Sequence, residues 1–363
     1  MNTVDHYASM LTQDHQLCET SLTLVSGGFC LRLWSNSSKL ISQLANYFSH
    51  VVTTKSLQAD VEVIAVEREA PDLPIDFIDW KREPGKTGRK DSYFDFKDGR
   101  LLRKVRTGMV FLQSARQLIA AGPCLQYDNQ LINFINSQYM NWLQQKGWLI
   151  CHAAGIVHNN RCMAMAGLSG GGKSTLMLSL LERDDINYLT NDRLFIRKAG
   201  VKLQAAGIPK LPRINPGTIV HNPRLNPLID AERREQLRAL PVAELWHLEE
   251  KFDVSIDRFY GKNRIQPDAD LASILILHWH HDATEPSSLN EVQLDQRTDL
   301  LAAIMKSPGP FYQRSDGTFL KDDEPLQSEP YLEILQNIRV YELTGRIDFE
   351  AALQLIMPLM EIS

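Results

Sequence analysis

The stretch Ala166-Gly167-Leu168-Ser169-Gly170-Gly171-Gly172-Lys173-Ser174-Thr175 decides how this chain is read. From Gly167 to Ser174 it fits the phosphate-binding loop pattern G-x-x-x-x-G-K-[ST]. Each residue type has a physical task there. Glycine lets the backbone curl so that successive N–H groups converge on an anion. Lys173 brings a cation to the β- and γ-phosphates, and the Ser174 hydroxyl suits Mg²⁺. Upstream, Arg161-Cys162-Met163-Ala164-Met165-Ala166 is a short apolar run that reads as a buried strand. Downstream, Leu176-Met177-Leu178-Ser179-Leu180-Leu181 reads as a helix, whose positive dipole end faces the loop. Strand, glycine loop and helix is the context the motif requires. The expected phosphate contacts are Gly167, Leu168, Ser169, Gly170, Gly171, Gly172, Lys173, Ser174 and Thr175, with Ser174 as a Mg²⁺ ligand.

The rest of the composition sets the frame. The chain has 363 residues, of which 44% are hydrophobic and 23% charged, with a formal net charge of −5. That is globular composition, enough for one large or two medium domains. The mild acidity favours neither nucleic acid nor an anionic membrane. No apolar run approaches the ~20 residues of a membrane span, and the start Met1-Asn2-Thr3-Val4-Asp5-His6 lacks a signal-peptide pattern. Five scattered cysteines, with no Cys-x-x-Cys, indicate neither a disulfide framework nor a zinc site. The expectation is a cytoplasmic protein.

The N-terminal third reads as a small α+β unit. Strands are expected at 21–25 and 29–34 around Gly27-Gly28, a helix at 38–51 and a strand at 59–66. Asp98-Gly99 marks a hairpin, and the basic stretch 81–90 reads as an exposed loop. A helix is expected at 129–145, ending at Gly147, then one strand over 148–157. Further strands are expected at 187–189, 194–198, 201–205 and 272–278, with irregular loops over 207–227 and a charged helix over 231–240. These elements divide the chain into residues 1–124, an N-terminal domain for docking or regulation, and residues 125–363, an α/β phosphate-loop domain.

Two residues near the loop matter. Asp192 closes a short strand in Tyr188-Leu189-Thr190-Asn191-Asp192-Arg193. An acid there holds Mg²⁺ or its water, or takes a proton from an attacking hydroxyl. The plainer alternatives are a turn cap or a pair with Arg193. His152 lies in an apolar run, where a satisfied core histidine is the default. Arg213 and Arg258 each suit bidentate phosphate contact, although a surface salt bridge is the commoner role. His278 and His280 alternate as on one side of a strand, and no matching ligand cluster accompanies them.

A histidine, a strand hairpin, G-x-S-G-x-G-K-S and an L-x-x-D segment together resemble HPr kinase/phosphorylase. The chain is most similar to the HprK-related kinases of the B group. The resemblance runs over about residues 145–350 and is carried by His152, Gly167 to Thr175 and Leu189-Thr190-Asn191-Asp192. Supporting stretches are Pro209-Lys210-Leu211-Pro212-Arg213-Ile214-Asn215-Pro216-Gly217, Lys306-Ser307-Pro308-Gly309 and Glu342-Leu343-Thr344-Gly345. It implies an α/β kinase fold related to phosphoenolpyruvate carboxykinase, with ATP and Mg²⁺ as cofactors. It also implies phosphoryl transfer to a hydroxyl, typically serine, with Asp192, His152 and Lys173 as catalytic residues and Asp192 and Ser174 as metal ligands. A homo-oligomer is implied by the same analogy.

The family pattern is broken at two points. Arg193 stands where the family has a second acid, and the glutamate-containing glycine-rich segment linked to phosphorolysis has no equivalent. Phosphorylase activity is therefore not expected. Asp253 and Asp257 are the acids available to replace the missing one, and a solvated surface strand accounts for them equally well. The acceptor stays open at this level, between a serine on a partner protein and a small metabolite. A non-catalytic nucleotide sensor is the rival from another class.

Overall fold

The computed structural model describes residues 3–82, 87–167, 171–248, 250–280 and 282–361. Three residues of the glycine loop, Leu168, Ser169 and Gly170, lie outside them, as do 83–86 of the basic stretch. The fold is mixed α/β and divides into two compact units.

The first unit holds Met1–Gly147 and Ser307–Pro325. Its strands are β1 (Leu22–Ser26), β2 (Phe29–Ser35), β3 (Val61–Glu67), β4 (Ile78–Asp79), β5 (Asp91–Phe96), β6 (Gly99–Lys104), β7 (Val110–Ser114) and β8 (Leu118–Gly122). They form one sheet in the order β1-β2-β3-β8-β7-β6-β5-β4. Gly27 and Gly28 join β1 to β2 with φ of 54° and 82°, the doubly left-handed turn that matches strand twist. One face of the sheet buries Leu101, Val110, Leu112 and Ile119 against Val4, Tyr7 and Leu11 of helix α1 (Val4–Thr12). After α2 (Ser38–Tyr47) and the later strands comes α3 (Asp128–Gln145). Phe134 of α3 meets Phe111 at 5.0 Å and Phe311 at 5.1 Å.

These contacts shift the expected boundary near residue 125. Helix α3 belongs with the first sheet, so the chain leaves that unit only after Gly147, and residues 307–325 return to it. A helix carries its apolar face in its sequence, but not the identity of the sheet that covers it.

The second unit, Trp148–Lys306 with Leu326–Ser363, begins with β9 (Leu149–Cys151), β10 (Ala153–His158) and β11 (Arg161–Gly167). Helix α4 (Lys173–Leu180) follows, then β12 (Ile186–Thr190), β13 (Leu194–Ala199), β14 (Lys202–Ala206) and β15 (Arg213–Ile214). The next segment holds α5 (Pro216–Val220), α6 (Ala231–Arg238), α7 (Val242–His247), β16 (Phe252–Asp253) and α8 (Ile256–Phe259). The unit ends with β17 (Asp268–Leu277), β18 (Ser288–Val292), α9 (Leu301–Ile304), α10 (Glu329–Leu335), β19 (Arg339–Thr344) and α11 (Phe349–Glu361).

The main sheet runs β12-β10-β11-β17-β14-β13-β9, with β19 also on β17 and β18 on β19. At its centre β11, β17 and β19 are parallel. Both faces are covered, which explains the near-continuous apolar runs. Met163, Met165, Leu275 and Leu343 point to the side of α4 and α11. Cys162, Ala164, Ile274 and Val340 point to the other side, with α9 and α10. Burial holds the thiols of Cys151 and Cys162 far above the usual cysteine range, as expected of core residues.

The single strand expected over 148–157 is instead two. Strand β9 pairs with β13, whereas β10 pairs with β11 and β12. His152 alone separates them, and its backbone N–H donates to Ile304 O at 2.7 Å. The sheet therefore curls, bringing its far end back to β10. Hydropathy does not register the break, because the residues on both sides of it are apolar.

Candidate functional site

Four chain segments meet at one end of this sheet. Strand β11 ends at Gly167, and Gly171 and Gly172 lead into α4. Strand β12 ends at Thr190, with Asn191 and Asp192 beyond it. The bend between β9 and β10 supplies His152, and the segment after β14 supplies Lys210 and Arg213. Together they line a cavity of about 680 Å³, within the range of small-molecule and cofactor sites.

The start of α4 is held by close packing. Gly172 has φ of 83°, and a Cβ there would lie 2.9 Å from the Phe349 ring, so glycine is required twice over. Trp279 donates its indole N–H to Gly171 O at 2.9 Å and packs edge-on to Phe349 at 5.1 Å. The hydroxyls of Thr175 and Thr218 bond at 2.8 Å, tying α4 to α5. Close approach also fixes the segment that follows β14. A Cβ on Gly207 would lie 2.0 Å from Leu189 O, so only glycine lets this chain cross the end of β12 beside Asp192.

Lys173 is 8% exposed, and its ammonium donates to Gly167 O at 2.6 Å. Burial lowers its pKa to about 8, with nearby Lys306 acting the same way and Asp192 opposing. Lys210 is lowered further, to about 7, by burial and then by Arg193, again against the pull of Asp192. For both lysines the cost of burial outweighs the pull of Asp192.

Asp192 is the charge at the centre. Its Oδ1 is 3.1 Å from His152 Nε2, and its Oδ2 is 3.3 Å from Lys306 Nζ and 3.9 Å from Arg193 Nε. Its side chain is 48% exposed, but to the cavity, with protein on the remaining sides. Burial raises the carboxyl's pKa; the His152 hydrogen bond and the Lys306 and Arg193 charges outweigh this and hold it well below the usual range. Asp192 thus stays ionised, an acceptor and never a donor.

Of the residues singled out in the sequence, His152, Gly171, Gly172, Lys173, Ser174, Thr175, Asp192 and Arg213 line this one cavity. Gly167 sits behind it as the acceptor for Lys173. Arg258 is not brought there: it is exposed on the short helix α8, with its guanidinium 5.0 Å from the Phe259 ring centroid. Asp253 faces Arg213 across the β15–β16 ladder and pairs with it at 3.2 Å, and neither Asp253 nor Asp257 lines the cavity. His278 belongs to a separate cluster, 2.6 Å from Glu342, which Arg297 also holds.

The sequence marks neither Arg193 nor Trp246 for the site and gives no role to Lys210 or Lys306. Trp246 and Lys210 line the cavity, and Lys306 meets Asp192 from the far end of α9. The available signal was positional: Lys210 lies in a proline-flanked run, and Lys306 directly precedes Ser307-Pro308-Gly309.

A Mg²⁺ ion fits what is present. Among the described residues no cluster of three or more His, Cys, Asp or Glu could cage a metal. Mg²⁺ rarely needs one, since it keeps water and binds through one or two protein oxygens plus substrate phosphates. The Ser174 hydroxyl and the Asp192 carboxylate both line the cavity and provide such oxygens.

No protein family and no curated protein matches the chain. Among solved structures it is similar to the Hpr(Ser) kinase/phosphatase from Coxiella burnetii, with a TM-score of 0.31 and 11% sequence identity, over 59% of this chain and 97% of that one. No helix among the described residues is long and apolar enough to cross a membrane.

Proposed function

We propose that the second unit is an ATP-dependent kinase that transfers the γ-phosphoryl group to a hydroxyl. The observation that carries this is the company Asp192 keeps. Among the described residues, five cationic side chains (Lys173, Arg193, Lys210, Arg213, Lys251) and one carboxylate line the cavity at the start of α4, in a chain of net charge −5. Such a wall suits a polyphosphate, and Asp192 suits the atom that attacks it.

In this reading Lys173 and the α4 N-terminus hold the β- and γ-phosphates. Ser174 and Asp192 would hold Mg²⁺, which supplies charge neutralisation on the phosphates when bound. Asp192 orients the acceptor hydroxyl. A carboxyl of such low pKa is a weak base, and positioning is what a loose phosphoryl-transfer transition state demands. The acceptor oxygen bonds to the γ-phosphorus as the bond to the β–γ bridging oxygen breaks. ADP leaves with that electron pair, and the hydroxyl proton is lost to water. His152, bonded to the same carboxylate, fixes its direction. The first unit would dock or regulate.

The test uses ATP labelled at the γ-phosphate, with Mg²⁺ and extract of the source cells. Label is expected on an acceptor with wild-type protein and absent with Lys173→Met. Bound ATP that stays intact under all conditions would leave a nucleotide sensor instead.

The lysines give the site a pH signature. Lys173 and Lys210 lose their protons as pH rises through about 8 and about 7. A polyanion favours the protonated forms, so binding takes up protons, and affinity falls as pH rises. For Lys173 alone the fall is about tenfold between pH 7 and 9. Calorimetry at pH 8, in buffers of different ionisation enthalpy, is expected to show net proton uptake on ATP binding. Constant affinity with no uptake would remove both lysines from the phosphate site.

A further inference from the structure

A phosphate loop binds through its backbone N–H groups, so its carbonyls must turn the other way and find partners of their own. Gly171 and Gly172 both line the cavity and are joined by a trans peptide. The Gly171 carbonyl accepts the Trp279 indole N–H at 2.9 Å. Trp279 is 4% exposed and does not line the cavity, so this carbonyl is drawn behind the cavity wall. In a planar trans peptide the N–H points opposite to the C=O. The N–H of Gly172 is therefore aimed from that wall into the cavity.

Trp279 is itself held in a frame. Strand β17 runs beside β11 as far as Leu277, in register with Gly167, and Trp279 follows two residues beyond. On either side of it, the His278 N–H donates to Leu343 O at 2.9 Å and the His280 N–H to Gly345 O at 3.0 Å. Gly345 has φ of 86°, and a Cβ there would run into Pro286 O, so the chain passes only as glycine. The indole packs on Phe349 at 5.1 Å and 80°, the ring that fills the space a Cβ on Gly172 would need. That packing asks only for an apolar ring. The N–H adds a link from this frame to the loop peptide, and an indole N–H donates without ever accepting.

We infer that Trp279 is a positioning residue of the phosphate site: through the Gly171 carbonyl it turns the Gly172 N–H toward a bound polyphosphate. This rests on the phosphate-binding part of the kinase reading and adds a residue to the same site. A peptide between two glycines has little conformational preference of its own, so its direction has to be set from outside. With the carbonyl released to face the cavity, its negative end would meet the phosphates.

The experiment compares wild type with Trp279→Phe, which keeps a ring against Phe349 and removes the N–H. Inorganic tripolyphosphate and Mg·ATP are titrated by calorimetry into the full-length proteins, beside thermal melts. The variant is expected to fold and to bind both probes about tenfold more weakly, the worth of one hydrogen bond to a charged group. A residue that only stabilised the fold would lower the melting temperature and leave the affinity of the folded protein unchanged. Unchanged affinity, or weakening of Mg·ATP without tripolyphosphate, would therefore overturn the inference. Residue-resolved hydrogen exchange on wild type covers a variant that does not fold. Tripolyphosphate is expected to slow exchange of the Gly172 amide, and no slowing would overturn the inference as well. The tenfold loss supports it whether or not the phosphoryl group is then transferred, so a nucleotide sensor would end the kinase reading alone. Wild-type protein that binds neither probe would overturn both.

Discussion

Lys173→Met is expected to abolish phosphoryl transfer, by about a thousandfold or more, while the protein melts no lower than wild type at pH 7. The two halves come from one fact. Lys173 is a nearly buried cation whose pKa burial has lowered to about 8. In the ligand-free protein its charge is a cost, carried in full below the folded pKa and lost as pH rises through about 8. Methionine keeps the stem and removes that cost. With ATP bound, the same charge meets phosphate in a site that excludes much of the water, where a preorganised charge is worth far more than in solution. Losing one such group costs about 10²–10³ in rate, and loss of phosphate affinity adds to it. The pairing of lost turnover with intact thermal stability is what separates a functional lysine from a structural one. Thermal melts with and without ATP check it, beside the transfer assay. Retained turnover would remove Lys173 from the chemistry, and a large drop in melting temperature would make it structural.

Asp192→Asn is expected to cost turnover as heavily and to leave the opposite signature in stability. The carboxylate is the partner of His152, Lys306 and Arg193. Replacing it by an amide removes a counter-charge from those groups and from Lys173 and Lys210, so the melting temperature falls. Because the folded pKa lies below the unfolded one, this stabilisation is present above the unfolded value of about 3.9 and is lost as pH falls toward the folded one. The difference in melting temperature between wild type and Asp192→Asn is therefore expected to shrink under strong acid. ATP binding is expected to persist at pH 7, since an anion has been removed from beside the phosphates. Turnover should fall by about a thousandfold, because the acceptor hydroxyl loses the group that directs it. Normal turnover in a folded Asp192→Asn protein would end the role assigned here. Loss of nucleotide binding together with turnover would make holding the metal, rather than orienting the acceptor, the main role of Asp192.

The elements set by local pattern were legible. Arg161–Gly167 is a strand and Lys173–Leu180 a helix, on either side of the glycine loop as its flanks required. The Gly27-Gly28 and Asn159-Asn160 turns follow from residues that tolerate positive φ. The bend at His152 was not legible, because a run apolar on both sides reads as one strand wherever it pairs. Nor was the place of α3, for a helix face does not name its partner. In the site, Gly172 at the start of α4 was readable, because its positive φ and the Phe349 ring leave room only for glycine. The cations around Asp192 were not. Arg193 is its chain neighbour, but Lys210 and Lys306 come from 18 and 114 positions further along. Arg258, which looked equivalent to Arg213, is carried on a helix away from the cavity.

Short-range physics is written in the order of the residues. It gave a glycine-rich turn between an apolar strand and a helix, with a lysine and hydroxyls at the helix start and an acid at a later strand end. How much charge surrounds that acid, and from which directions, follows from the folded chain alone. Burial and ion pairing depend on groups far apart in the chain, and those groups meet because the sheet curls at His152 and Gly207 lets the backbone cross the end of β12.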